Sequence, residues 1–184
     1  SERMDVYMDY AVRMLKDNFG YVCTCPAEVF KELRDNSEEC PCRNKETKEN
    51  LSDWEKMEEG ALEEGMAVVR VKTEMNLPNP ALRDWPALRI QHTSHPMVGE
   101  KYKVWPLLDF QSAIEDYELG VTHIIRGKDL MDSTRKQTLL YNHFGWNYPE
   151  TLYWGRVKIH EFGRFSTSGM RKEIENKNYS GWDD

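Results

Sequence analysis

No stretch of the 184 residues reaches 18 consecutive apolar positions, which excludes a membrane-spanning helix. No leader of basic, apolar and small residues opens the chain, so nothing in it points to export. The signatures G-x-x-x-x-G-K-[ST], G-x-G-x-x-G, H-E-x-x-H and G-x-S-x-G are all missing. Their absence removes P-loop, dinucleotide-fingerprint, zincin and nucleophile-elbow chemistry. There is no internal repeat. Basic residues are outnumbered, 25 against 32 acidic, for a net charge of −7, which argues against a general nucleic-acid coat. The deficit is local: residues 1–65 hold 17 acidic and 9 basic side chains, leaving 15 and 16 for residues 66–184. The second stretch is near neutral and can approach phosphates. Apolar residues make up 39%, enough for a core, and charged residues 31%. That balance reads as a soluble globular chain.

Cysteine is absent except between Cys23 and Cys42. In a cytosolic chain, disulfides are rare and clustered thiols favour a metal. Cys23-x-Cys25 and Cys40-x-Cys42 are two tight pairs, 14 residues apart, stiffened by Pro26 and Pro41. Two turns of this kind supply the four soft ligands that a tetrahedral zinc ion takes, although C-x-C is tighter than the usual knuckle spacing. The alternative is four ordinary loop thiols. With all four positions filled, the site would be closed and structural.

Apolar spacing predicts an amphipathic helix over residues 4–17 with Gly20 as its terminator. Pro26 opens a second helix to about Leu33, and residues 51–60 form a third. Strands are expected over 67–72, 103–108 and 121–125, with Pro106 marking an edge or terminal strand. Pro78, Pro80 and Pro86 break the intervening segment into turns. Asp109 is placed as the cap of a helix to Glu118. Asp132 or Ser133 is placed as the cap of a helix from Thr134 to Phe144 that stops at Gly145. A strand from Thr151 to Ile159 leads into a loop, Gly163-Arg164-Phe165-Ser166-Thr167-Ser168-Gly169, and a short basic helix. Alternating strands and helices over 103–160 imply parallel strands with a ligand crevice at their carboxyl ends.

Two of these features can carry chemistry. Hydroxyls, amides and basic side chains in the 163–172 loop suit a triphosphate, although a solvated Ser/Gly loop has the same composition. Arg126, just past a buried strand, can grip a carboxylate with its planar fork, or it can pair with Asp129 or Asp132 on the surface. His123 reads as a packed histidine rather than a base.

Several separated segments, in order, resemble one family. VRVKTEMNLPNPALRDWPALRI (69–90), KVWPLLDFQSAIEDYELGVTHIIRGKDLMDSTRKQTLLYNHFGW (103–146) and GRFSTSGMRK (163–172) are similar to archaeal-type glutamyl-tRNA synthetase. YVCTCPAEVFKELRD (21–35) with CPCR (40–43) resembles the zinc-bearing insert of those enzymes. The resemblance implies a class I, Rossmann-like α/β fold. It places residues 1–100 in the zinc-bearing α+β insert that contacts the tRNA acceptor stem. Residues 101–184 then form the second half of the catalytic domain.

Residue by residue, the resemblance implies that Arg164, Ser166, Thr167 and Ser168 occupy the place of the signature KMSKS loop, with threonine for its central lysine. Arg126 and Ser112 would bind glutamate. Asp129, the Val157-Lys158-Ile159 backbone, Arg171 and Lys172 would serve ATP. Leu108 stands where relatives often carry a tyrosine. The implied cofactors are ATP with Mg2+ as substrate and structural Zn2+ on Cys23, Cys25, Cys40 and Cys42. The partners are tRNA, L-glutamate and ATP, with no membrane. The family's HIGH motif lies upstream of these segments and its anticodon-binding region downstream. On that reading the chain is a fragment that alone activates glutamate negligibly. The rival expectation is a non-catalytic, zinc-stabilised tRNA- or protein-binding module. A glutaminyl relative is disfavoured by Arg126, because a neutral amide needs no guanidinium partner.

Overall fold

The computed structural model describes residues 3–155 and 167–176. It divides into two units, Ser1–Tyr153 and Trp154–Asp184.

The first unit is built on a four-stranded antiparallel sheet in the order β1-β2-β3-β4: Gly20–Cys23, Val68–Val71, Pro86–Ile90 and Val104–Pro106. Alternation along each strand gives the sheet two different faces. Val22, Val69, Val71, Leu88 and Ile90 join the main apolar core. Tyr21 and Cys23 of β1 join a second, smaller cluster with Phe30, Cys40 and Cys42, and Val68 packs against it. All four residues of β1 are therefore buried, because both of its faces are covered.

Helix α1 (Met4–Lys16) covers the core face with Met4, Tyr7, Ala11, Met14 and Leu15, the spacing that one helical stripe requires. Helix α3 (Thr47–Glu58) adds Trp54 and Met57. Helix α4 (Leu108–Glu118) adds Phe110, Ala113 and Ile114, and α5 (Met131–Phe144) adds Leu140, Tyr141 and Phe144. Helix α2 (Ala27–Asp35) carries Phe30 onto the cysteine side. A second sheet pairs β5 (His123–Gly127) with β6 (Glu150–Trp154). In the second unit, α6 spans Thr167–Glu175.

Several expectations change. The terminator of α1 is Asn18, whose φ of 60° occupies the left-handed region; asparagine tolerates it because its short side chain bonds locally. Gly20 instead begins β1, and it is glycine because a Cβ there would lie 2.6 Å from Met14 Cγ. Strand β3 was hidden by Pro86 and Arg89, and it is the partner that draws β4 into an antiparallel sheet. The strand–helix alternation over 103–160 is therefore not one parallel sheet: alternation counts elements but not which edges hydrogen-bond. Pro106 does sit on the edge strand. Asp109 lies inside the first turn of α4 rather than at its cap, which is Leu107, and pairs with Lys136 at 2.8 Å. Helix α5 starts at Met131, earlier than Thr134, and ends at Gly145 in the left-handed region as expected. Strand β5 is half-exposed rather than buried, with Ile125 73% exposed. The phosphate-loop reading is shortened, since Thr167, Ser168 and Gly169 belong to α6.

A buried carboxylate gathers donors on the cysteine side of the first sheet. Asp84 is fully buried with a φ of 40°. Its carboxylate accepts from Tyr21 Oη at 2.9 Å, from Thr73 N at 2.8 Å and from Arg43 Nη1. Its own N–H donates to Thr73 Oγ1 at 2.8 Å, and its carbonyl accepts from Arg70 Nη1 at 3.2 Å. The Arg70 guanidinium lies 3.3 Å over the Phe30 ring. A residue held at positive φ by three hydrogen bonds to its side chain and two to its backbone is over-determined by its surroundings.

Replacing Gly20 by alanine overpacks Met14 and is expected to destabilise the fold by ~1–3 kcal/mol in urea unfolding. Asp84→Ala leaves the Arg43 charge and the Tyr21 hydroxyl without their acceptor and is expected to cost about 3–5 kcal/mol by the same measurement.

Candidate functional site

Two constellations of functional side chains stand out in the first unit. The first is the cysteine cluster. Cys23 is the last residue of β1, and Cys25 sits in the turn before Pro26 and α2. Cys40 and Cys42 lie at and in the 3-10 turn Pro41–Asn44. All four Sγ atoms lie within 4.8 Å of one another. The separations are 3.6 Å for Cys23–Cys40, 3.3 Å for Cys25–Cys40 and 3.7 Å for Cys25–Cys42. A tetrahedron with zinc–sulfur bonds of ~2.3 Å has sulfur–sulfur edges of ~3.8 Å, so the thiols are gathered at the scale of a metal site. None is in a disulfide.

The metal-free thiols are electrostatically unequal. The hydrogen bond from Cys40 pulls the Cys23 thiol down to about 5, aided by the Arg70 guanidinium and opposed by burial. Cys40 is driven up by that same hydrogen bond and by burial, and burial also raises Cys25. Arg43, the residue after Cys42, is held on Asp84, so the second cysteine turn is tied to the sheet. A cavity of about 400 Å³ borders the cluster, lined by Cys23, Cys25, Arg70, Arg89 and Gln91 among others.

The second constellation gathers around Arg126 on β5. Its Nη1 donates to Thr134 Oγ1 at 3.1 Å and to Gln137 Oε1 at 3.0 Å, both on α5. Gln137 is 1% exposed. Its Nε2 donates to Ser112 Oγ at 2.6 Å and to the Asp109 carbonyl at 3.2 Å, both on α4. Its Oε1 also accepts from Tyr148 Oη at 2.6 Å. Arg126 and Ser112, the pair that the resemblance assigns to glutamate, are thus joined through one buried amide. Among the described residues no carboxylate forms an ion pair with Arg126. Asp132 is engaged by Arg135 at 3.2 Å and by Asn79 at 2.9 Å instead, and the Asp129 carboxylate fills the space that a Cβ on Gly127 would take. That answers the reading of Arg126 as half of a surface pair. Burial raises the nearby Asp116 carboxyl, with Arg126 opposing that rise.

Asp129 occupies the 3-10 turn Lys128–Leu130 that directly follows β5. In the second unit, Ser168, Arg171 and Lys172 are exposed on α6. Thr167 opens that helix, and its side chain lies outside the described residues, as do Arg164, Ser166, Val157, Lys158 and Ile159.

Sequence reasoning missed Gln137, Tyr148, Arg70 and Asp84. A glutamine in mid-helix looks like any solvated residue. Its spacing of three from Thr134, on a face that also carries Leu140 and Tyr141, is the one signal of an inward position. Arg70 alternates with the core residues Val69 and Val71 on β2, which marks it as off the main core face but does not announce burial.

Known proteins give the chain its family. The family described as tRNA synthetases class I (E and Q), catalytic domain, matches residues 1–184. Proteins named glutamate--tRNA ligase are similar along the whole chain: 56% identical over 186 residues in Methanosarcina mazei, 55% over 184 in Archaeoglobus fulgidus and 50% over 185 in Pyrococcus horikoshii. The chain spans about a third of the length of these curated relatives, 33%, 33% and 32%. Among solved structures, a glutamate tRNA ligase from Elizabethkingia meningosepticum in complex with its amino acid aligns with a TM-score of 0.57 at 20% identity, covering 97% of this chain and 37% of that one. The similarity there is of fold. Mixed α/β architecture, clustered cysteines and a match along the entire sequence lead to one assignment: the chain belongs to the class I tRNA synthetases of the E and Q type, within their catalytic domain.

Proposed function

We propose that this segment works within a glutamate–tRNA ligase, which joins L-glutamate to ATP as glutamyl-adenylate and then to the 3′ end of tRNA. The observation that carries the reading is Arg126: a guanidinium anchored along one edge by neutral groups, with no ion-pair partner among the described residues. A fork held that way suits a carboxylate side chain and offers nothing comparable to a neutral amide. Identity of 50–56% with archaeal ligases supports the same substrate class, and it leaves the non-catalytic binding module unfavoured.

In the first step, the α-carboxylate oxygen of glutamate attacks the α-phosphorus of ATP and pyrophosphate leaves with its bond electrons. In the second, a ribose hydroxyl at the tRNA 3′ end attacks the carbonyl carbon and AMP leaves. Neither step needs a side-chain nucleophile, so the protein's part is positioning and charge stabilisation. Arg126 and Ser112 hold the amino acid. Asp129 and the Val157–Ile159 backbone hold the nucleoside. Arg164, Ser166, Thr167 and Ser168, with Arg171 and Lys172, face the phosphates. Mg2+ accompanies ATP and supplies charge neutralisation on the phosphates.

Zinc on Cys23, Cys25, Cys40 and Cys42 has a structural role. The compact sulfur geometry and the thiol-only donor set fit it, and no protein position is left open for a catalytic water. Residues 1–100 are the part that meets the tRNA acceptor stem, and residues 101–184 the part of the catalytic domain that holds the amino acid and ATP. Reduced cysteines suit a cytoplasmic setting. Among the described residues, no helix is long and apolar enough to cross a membrane.

Metal analysis is expected to find a single zinc bound, and Cys40→Ser to lose it together with thermal stability; full stability without metal would remove the structural-zinc reading. Pyrophosphate exchange in the full-length protein tests the substrate. Arg126→Ala is expected to raise the glutamate KM at least roughly thirtyfold while the ATP KM holds. An unchanged glutamate KM would reject the assignment of Arg126.

A further inference from the structure

We propose that Gln137 is a positioning and specificity residue: its neutral amide fixes the Arg126 guanidinium without cancelling its charge, which keeps that charge for an anionic side chain of the substrate. The inference rests on the reading of Arg126 as the glutamate contact and extends it to a residue that would not itself touch the substrate.

The geometry assigns each atom of the amide. Gln137 Oε1 accepts from Arg126 Nη1 at 3.0 Å and from Tyr148 Oη at 2.6 Å. Gln137 Nε2 donates to Ser112 Oγ at 2.6 Å and to the Asp109 carbonyl at 3.2 Å. Ser112 Oγ in turn donates to the Leu108 carbonyl at 2.7 Å, so the hydroxyl has one proton to give and accepts the amide's. The four bonds satisfy both ends of the amide and fix its orientation, since a flipped amide would aim its nitrogen at the guanidinium. They also span three elements: β5 through Arg126, α4 through Ser112 and Asp109, and the segment before β6 through Tyr148.

A carboxylate at this position would hold the guanidinium at least as tightly, so tethering alone does not call for glutamine. The amide differs from a carboxylate in charge. Thr134 Oγ1 and Gln137 Oε1 are both neutral acceptors on Nη1, which leaves Nη2 and Nε for a bidentate partner. An ion pair formed inside the protein would compete directly with the ligand, whereas a neutral tether does not. Gln137 thereby sets the preference for an acidic over an amide side chain.

The test uses the full-length protein in pyrophosphate exchange, with glutamate and glutamine each as substrate and ATP varied separately. Gln137→Glu is expected to raise the glutamate KM about tenfold and to lower the glutamate-to-glutamine preference by a similar factor, with the ATP KM little changed and the melting temperature lowered by the lost bonds to Ser112 and the Asp109 carbonyl. Gln137→Met keeps the volume and removes the tether, and is expected to raise the glutamate KM with less loss of preference. It is the variant to read should the glutamate form fail to fold. A merely structural role would depress kcat and stability without moving the preference, and that result overturns the proposal. So does a glutamate KM unchanged in both variants while Arg126→Ala raises it. An unchanged KM in Arg126→Ala would instead reject the substrate reading beneath.

Discussion

The carboxylate of Asp84 is the contact on which the first unit depends. It has no exposure to water, so its charge is stable only through the donors that surround it. Those donors come from everything the fold must hold together: Tyr21 from β1, Thr73 from the segment after β2 and Arg43 from the second cysteine turn. The backbone of the same residue holds Arg70, which in turn lies on Phe30 of α2. Together with the packing of Tyr21 and Cys23 on Phe30, Cys40 and Cys42, it ties the cysteine turns to the sheet.

The Arg126 cluster follows a related logic with the opposite sign. There the buried group is neutral and leaves the charge it steadies uncancelled. Arg43 is paired with the carboxylates of Asp84 and Glu39, while Arg126 is held by the neutral oxygens of Gln137 and Thr134. The contrast separates an arginine neutralised within the fold from one that is not. It is visible only in the partners, because the two residues are alike in sequence.

Much of this was legible in the sequence. The stripe of Met4, Tyr7, Ala11, Met14 and Leu15 announced α1, and Gly145 announced the end of α5, because both depend on local spacing and backbone conformation. The four cysteines were found because their chemistry is rare and their spacing narrow. Arg126 drew notice by its place after a strand and Ser112 by resemblance alone, and both lie on Gln137. What stayed hidden was set by non-local pairing. Strand β3 contains a proline and an arginine and looks like a turn until β2 and β4 flank it. Gly20 looked like a helix terminator because the sequence does not show that Met14 folds back over it. Asp84 and Gln137 are polar residues in unremarkable contexts, and their burial is decided by segments far along the chain.

The register of β1 against β2 has a consequence for the cysteine cluster. Gly20, Tyr21, Val22 and Cys23 face Val71, Arg70, Val69 and Val68 in turn. A slip of one position in β1 would send Cys23 among the apolar side chains and bring Val22 to the thiols. Three sulfurs do not close a four-sulfur shell. The register of β1 and the completeness of the four-thiol cluster are therefore one condition, since only the native pairing gathers all four sulfurs.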